Sequence, residues 1–438
     1  MSKGSQYVCQ QCGYSQVGWA GKCSDCGSWG SLVETFVSRV KERESKRVKV
    51  KISEPITLSK ISSGETLRIS SGILELDRVL GGGFVQGQVV LLAGEPGIGK
   101  STLLLQISEK LNPSVYVSGE ESARQVKIRA DRLGIKDTQI LFLEENNTDN
   151  VIEILNSLKQ KPKLIIIDSI QTMMTQDLSG LPGSVGQVRE STFRFLQWAK
   201  HEHVPTVLVG HVTKLGTVAG PAVLAHIVDT VLWFEGDKSL SLRLIRGIKN
   251  RFGATDEVGI FQMQDNGLTQ VIDLEKIFLS KELRGVSGSS VTSIMEGSRP
   301  VLVEIQSLVI PTKLAFPRRI AQGFDSKRLE LILAVLSRRA GVPLMDLDVF
   351  INVAGGMTIR ETAADLAVAL SLASAFYDKP LPPNLLAIGE VGLLGEIREV
   401  PRQMNRIKEA KRQGFTKVAS SFEYKFVKEC IYKLSTNK

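Results

Sequence analysis

The chain's 438 residues are 42% hydrophobic and 23% charged, ordinary values for a protein that buries real cores, with room for about three domains. No h-region follows Met1 and no uninterrupted apolar run approaches membrane-spanning length, so the chain is expected to be cytosolic. The net charge of +9 favours a polyanionic partner such as nucleic acid and says nothing of the fold.

Four of the five cysteines stand at Cys9, Cys12, Cys23 and Cys26 as two C-x-x-C pairs, each followed by glycine (Gly13, Gly27). Glycine suits the tight knuckle that lets two thiolates converge on one ion. Four thiolates select tetrahedral Zn²⁺ in a closed, structural shell. Two disulfides are disfavoured in a cytosolic chain, and a redox dithiol needs only one pair. Trp19, Lys22 and Trp29 suit either a nucleic acid or a neighbouring domain. Cys430 reads as a small core residue. Residues 38–51 are mostly basic with little apolar pattern, and fit a solvated tether or a phosphate-backbone contact equally.

A short helix and a glycine run, Gly81-Gly82-Gly83, precede the apolar strand Val89–Ala93. Gly94-Glu95-Pro96-Gly97-Ile98-Gly99-Lys100-Ser101 follows, and Thr102 opens the apolar part of a helix. Strand, glycine-rich turn and helix are the context the Walker A pattern demands. Backbone N–H groups and the helix N-terminus would cradle phosphates, with Lys100 reaching the β- and γ-phosphates and Ser101 entering the Mg²⁺ shell. The chain is expected to bind a nucleoside triphosphate, ATP.

Ser114–Ser118 reads as a strand beside the P-loop that ends in Gly119-Glu120-Glu121. A carboxylate there can polarise an attacking water. Glu120 fits that role, and Glu121 fits the plainer one of an acid at a helix N-terminus. Leu164–Asp168 has the Walker B form, and Asp168 would hold the Mg²⁺ shell through Ser101 and water. Thr206–Gly210 is a further strand, ending at His211. Alternating strands and helices predict an α/β domain with a mostly parallel sheet. Two glycine-rich loops, Thr175–Val188 and Thr213–Leu224 with Lys214, are long enough to be functional and could track a phosphate backbone. In Lys249-Asn250-Arg251-Phe252-Gly253 the two cations sit at i and i+2, on one face of a strand. By themselves they read best as an exposed strand end turning at Gly253. Leu366–Phe376 reads as a buried helix.

The Cys₄ ribbon, the P-loop and the 249–253 segment together resemble the RadA (Sms) family of bacterial DNA repair proteins, over essentially the whole chain. The resemblance implies a zinc ribbon at 1–30, a basic linker at 31–65, a RecA-like P-loop ATPase core at 66–275 and a Lon-protease-like α/β domain at 276–438. It implies a DNA-dependent ATPase of homologous recombination and repair. Such an enzyme binds single-stranded and branched DNA, promotes branch migration with the RecA recombinase and forms a homo-hexameric ring. Carried over by position, Glu120 activates water, His211 senses the γ-phosphate, and the two loops contact DNA. Lys249 and Arg251 reach the ATP of the neighbouring subunit. In the Lon-like region, after Phe350–Gly356, Ala363 falls where Lon has its serine and Met404 where it has its lysine. Neither replacement is a nucleophile or base, so the domain is expected to be proteolytically inactive. Arg318, Arg319, Lys327, Arg328, Arg338 and Arg339 fit duplex DNA binding or a solvated face equally. An ATP-dependent protease and an ATP-switched DNA platform are the competing readings.

Overall fold

A computed structural model describes residues 5–9, 11–36, 68–136, 139–211, 221–236, 242–271, 279, 285–313 and 315–436. The basic segment 38–51 and residues 213–220 of the second glycine-rich loop, Lys214 among them, lie outside the described residues. The chain divides into two compact units at Gln270–Val271.

The N-terminal ribbon is a three-stranded antiparallel sheet of β1 (Ser5–Cys9), β2 (Ser15–Gln16) and β3 (Leu32–Phe36), in the order β2-β1-β3. Its core is little more than Cys9, Cys23 and Leu32. So small a core stabilises little by burial, which is why such a fold needs a staple.

A larger α/β element set follows in the same unit. It comprises α1 (Leu74–Leu80), β4 (Val89–Gly94), α2 (Lys100–Lys110), β5 (Ser114–Ser118), α3 (Ala123–Arg132), β6 (Ile140–Glu144), α4 (Thr148–Ser157) and β7 (Leu164–Asp168). Then come α5 (Val185–Glu202), β8 (Thr206–His211), α6 (Pro221–Ala225), β9 (Thr230–Gly236), β10 (Leu242–Asn250), β11 (Val258–Gln264) and β12 (Gly267–Gln270). The nine strands lie in the order β12-β11-β10-β9-β4-β8-β7-β5-β6. Strands β9, β4, β8, β7, β5 and β6 run parallel, and β9 to β12 form an antiparallel meander.

Both faces of the parallel part are covered, so its strands are continuous apolar runs whose alternate residues serve different cores. Val90 and Leu92 pack with Leu76 and Val79 of α1 and Leu103 and Leu104 of α2. Val89 and Leu91 pack with Val151 of α4 and Phe195 and Trp198 of α5. Each fully buried aliphatic side chain contributes about 1.5–3 kcal/mol. Local signals bound the helices. Gly81 ends α1 at φ 83°, Ser122 and Gln125 form a capping box on α3, and Asn147 caps α4 through Asp149 and Asn150 N–H.

Two sequence expectations change. The strand carrying Glu120 is not beside the P-loop strand, because β8 and β7 lie between β4 and β5. The chain crosses outward to β5 and β6 before returning, a crossover that no local pattern specifies. The first glycine-rich loop is also shorter than expected, since Val185, Gly186, Gln187 and Val188 already belong to α5. Gln187 bonds back to Thr175 N–H and to the carbonyls of Thr175 and Leu178, which satisfies loop groups that α5 cannot.

The second unit contains β13 (Ser289–Glu296), β14 (Arg299–Pro311), β15 (Arg319–Gln322), α7 (Ser326–Val335), β16 (Leu347–Val353) and α8 (Asp365–Tyr377). It continues with β17 (Leu385–Ala387), β18 (Glu390–Val391), β19 (Ile397–Arg398), α9 (Gln403–Arg412), β20 (Lys417–Ala419) and α10 (Val427–Thr436). Six strands form a mixed sheet in the order β15-β16-β14-β13-β17-β20. As expected, Leu366–Phe376 lies in a helix, α8, which is buried from Asp365 through Ser374. Cys430 is buried, and burial pushes its thiol up to about 12, as befits a core residue. Among the described residues no helix is long and apolar enough to cross a membrane.

Phe234, fully buried in β9 beside the P-loop strand, offers a test of this core. Phe234→Ala is expected to lower stability by about 3–5 kcal/mol in urea denaturation. A loss below about 1 kcal/mol would contradict the packing described.

Candidate functional site

Four parallel strands, β4, β8, β7 and β5, end side by side, and their carboxyl ends carry the predicted nucleotide residues. The Gly94–Ser101 turn joins β4 to α2. Glycine is required at both of its ends. A Cβ on Gly94 would stand 2.4 Å from the Phe234 carbonyl oxygen, and one on Gly99, at φ 115°, would stand 2.7 Å from Met263 Cε. A Cβ on Gly97, at φ 76°, would meet nothing within 4 Å, so the space over the loop is open. Gly99 provides no side-chain cap for α2 and the first turn holds no acid. The N–H groups of Lys100, Ser101 and Thr102 and the positive end of the helix dipole are therefore free to meet an anion.

Lys100 is only 3% exposed. Its Nζ donates to the Gly94 and Glu95 carbonyls at 2.9 and 3.0 Å. Burial lowers its titration to about 8, opposed by the charges of Asp168 and Glu120. Asp168 ends β7, and the Tyr116 hydroxyl donates to its Oδ2 at 2.5 Å. The Gly119 N–H donates to the Asp168 carbonyl at 3.0 Å, which ties the end of β5 to β7. Glu120 accepts from Ser169 Oγ at 2.5 Å and lies 3.7 Å from His211 Nε2. Glu121 turns the other way, into a two-bond pair with Arg129 at 2.5 and 2.7 Å. The structure thus separates two adjacent acids that the sequence offered together.

His211 ends β8 in register with Gly94. Both of its ring nitrogens are buried without a hydrogen-bond partner among the described residues, as is Gln171 Oε1. Burial and the Lys100 charge hold His211 below its ordinary value, so the ring is neutral at pH 7. Orphaned buried polar atoms around an open cradle fit a polar ligand. A triphosphate with Mg²⁺ suits this donor set: backbone N–H groups and Lys100 for phosphate, Ser101 Oγ and Asp168 for the cation. Neither Ser101 Oγ nor Asp168 Oδ1 has a protein hydrogen-bond partner among the described residues.

Some of the support was not legible locally. Arg243 on β10 is buried and donates from Nε to the Ile98 carbonyl at 3.0 Å, bracing the loop from behind. Tyr116 and Gln171 had no motif to mark them.

Lys249 and Arg251 are not at this site. Asn250 pairs with Thr230, and Thr230 with Val90. Val90 is four residues, about 13 Å of strand, before the P-loop. Both cations therefore lie at the end of the sheet opposite their own nucleotide cradle. A register shift between Gly247 and Lys249 turns Lys249 Nζ to the carbonyls of Ala225 and Val228 at 2.6 and 2.7 Å. Arg251 Nη1 lies 3.3 Å, and Lys200 Nζ 3.4 Å, from Asp229 Oδ1. One carboxylate thus pairs with two cations, with Lys249 close by. The rest of the segment is structural. Asn250 Nδ2 reaches the Val79 and Leu80 carbonyls at 3.3 Å, and a Cβ on Gly253 would stand 3.2 Å from Gly81 Cα.

In the ribbon, Cys9, Cys12, Cys23 and Cys26 sulfurs all lie within 4.8 Å of one another. Cys9–Cys26 and Cys12–Cys23 are 3.6 and 3.5 Å apart, close to the roughly 3.8 Å edge of a ZnS₄ tetrahedron with 2.3 Å bonds. Gly13 and Gly27, at φ 77° and 74°, donate to the Cys9 and Cys23 carbonyls, giving two matching knuckles. The residues fit a zinc ion. Trp19 and Trp29 are exposed.

The chain's 69–269 segment matches an ATPase family model described as KaiC, and 7–34 matches one described as a rubredoxin metal binding domain. It is 45% identical to the DNA repair protein RadA of Bacillus subtilis over 94% of this chain and 92% of that one. It is 48% identical to DNA repair protein RadA of Aquifex aeolicus, again over 94% and 92%. The Streptococcus pyogenes serotype M6 protein of that name is 46% identical over 95% and 92%.

Two measurements test these sites. Purified protein is expected to carry about one zinc per chain by mass spectrometry of the metal, lost in Cys23→Ser together with the ribbon's fold. Retention of the metal would remove Cys23 from the shell. Because Lys100 loses its proton near 8 in the free protein, calorimetric nucleotide affinity is expected to fall about tenfold between pH 7 and pH 9. A flat profile would mean that the ammonium does not titrate there.

Proposed function

The chain belongs to the RadA family of DNA repair proteins, and from that premise we propose that it is a DNA-stimulated ATPase working as a homo-hexameric ring. In this reading it moves on single-stranded DNA and drives branch migration alongside the RecA recombinase. One observation carries the assembly: the cations of the 249–253 segment sit at the opposite end of the sheet from their own P-loop. They serve catalysis only when a second subunit brings its cradle to them.

Within one cradle, the geometry supports these roles. Loop and helix N–H groups, among them those of Gly97, Gly99, Lys100, Ser101 and Thr102, and the Lys100 ammonium bind phosphate. Glu120, held by Ser169 and facing His211, orients and polarises the attacking water, and neutral His211 donates or accepts one hydrogen bond where a γ-phosphate would lie. Ser101 and Asp168 hold the cation. Mg²⁺, when bound, neutralises charge on the phosphates and leaving group. Lys249 and Arg251 of one subunit then stabilise transition-state charge in the next, so hydrolysis waits on assembly. Residues 175–184 follow the carboxyl end of β7, at the same end of the sheet as the cradle. That position supports a DNA-contacting role coupled to hydrolysis.

The competing protease reading lacks its machinery. Ala363 is buried, Met404 is 62% exposed, and neither carries a reactive group. An ion pair of buried Arg406 with half-buried Glu361, at 2.6 Å through both nitrogens, lies two residues from each position. We read the second unit as a proteolytically inactive Lon-like domain and a scaffold for DNA; fold does not carry function with it.

The trans arrangement makes a specific prediction. Lys100→Ala and Arg251→Ala proteins are each expected to lose DNA-stimulated hydrolysis. Mixing them is expected to restore a measurable fraction, because the Lys100→Ala subunit supplies Arg251 to an intact cradle. No recovery in mixed rings, or full activity of Arg251→Ala alone, would contradict the proposal.

A further inference from the structure

Tyr116 has no place in the P-loop signature, yet its hydroxyl is the protein's only hydrogen-bond donor to the Asp168 carboxylate among the described residues. It stands in the middle of β5, in register with Ile166 of β7. Its ring is 1% exposed and stacks on Phe142 with centroids 6.1 Å apart. The ring is part of the core shared by α1, α2 and α3, so the hydroxyl is the one polar atom of an otherwise apolar side chain. It is delivered at 2.5 Å to Oδ2 of the acid that ends the neighbouring strand.

Such a bond has a directional consequence. A carboxylate at the end of a strand can rotate about its terminal torsion. A donor fixed by core packing selects which oxygen is held and which is left to face the cradle. Here Oδ2 is held. A phenol is protonated through the neutral range and so serves as a donor. The arrangement has the form of an outer partner that orients a ligand of a metal.

We propose that Tyr116 is a positioning residue for the divalent cation: it locks Asp168 so that Oδ1 is presented to the Mg²⁺ of the bound nucleotide. The inference rests on the Mg²⁺–ATP reading of the cradle. Tyr116 touches neither nucleotide nor cation in this account and acts through Asp168.

Tyr116→Phe removes one oxygen and keeps the ring, so the core is preserved. The half-saturating Mg²⁺ concentration for ATP hydrolysis is expected to rise about 10–100-fold, with the rate at saturating Mg²⁺ largely retained. Binding of a fluorescent ATP analogue in EDTA is expected to be unchanged. Mn²⁺ binding with ADP, followed by electron paramagnetic resonance, gives the same comparison without any turnover and is expected to weaken in parallel. Unchanged Mg²⁺ and Mn²⁺ dependence in Tyr116→Phe would overturn the proposal. So would an equal loss of affinity with and without metal, which marks a merely structural role. A wild-type protein that binds Mn²⁺–ADP but hydrolyses nothing would count against the ATPase reading alone, and the resonance comparison would still decide the role of Tyr116.

Discussion

A buried ammonium sets the terms for the ATPase core. Lys100 is withdrawn from water and held by two carbonyls of its own loop, with Asp168 and Glu120 as the charges that oppose its desolvation. An isolated charge in such a place is costly, and the cost falls when an anion arrives. The surrounding structure keeps that position from relaxing. Gly94 lets β9 approach to the point where a methyl group would not fit, Gly99 takes a left-handed backbone angle beside Met263, and Arg243 braces the loop through Ile98. The cradle is preorganised because its own backbone is packed on three sides.

The sheet then divides chemistry between its two ends. Carboxyl ends of parallel strands gather Lys100, Glu120, Asp168 and His211, and the opposite end holds Lys249 together with Lys200 and Arg251, the last two paired with one carboxylate, Asp229. Lys249 is held below its ordinary titration, by burial first and then by the Arg251 charge. In the proposed assembly, the nucleotide site is completed only between subunits.

The two remaining parts of the chain show how differently small and large elements reach stability. The ribbon's apolar core is little more than Cys9, Cys23 and Leu32, and its four sulfurs converge on one point. The second unit buries a whole helix, α8, under a six-stranded sheet and needs no such staple. The burial that stabilises α8 depends on no reactive group.

The features legible in the sequence were those written in consecutive residues. Glycine spacing marked the P-loop and the knuckles, since only glycine takes the backbone angles and close approaches found there. Apolar runs ending in Asp168 and His211 marked strand ends, since doubly covered parallel strands have no polar face. The paired acids at 120 and 121, the donor on Asp168 and the brace on Ile98 were decided only in three dimensions. Strand order brought β5 beside β7 rather than β4, joining Tyr116 and Glu120 to the Asp168 end of the sheet across some fifty residues of sequence. The same order set Lys249 and Arg251 at the far end from the P-loop, which no local reading of two cations could reveal. Periodicity along a strand specifies which face a side chain takes. Which strands become neighbours depends on crossovers and on the packing of helices over the whole sheet, and that information is not local.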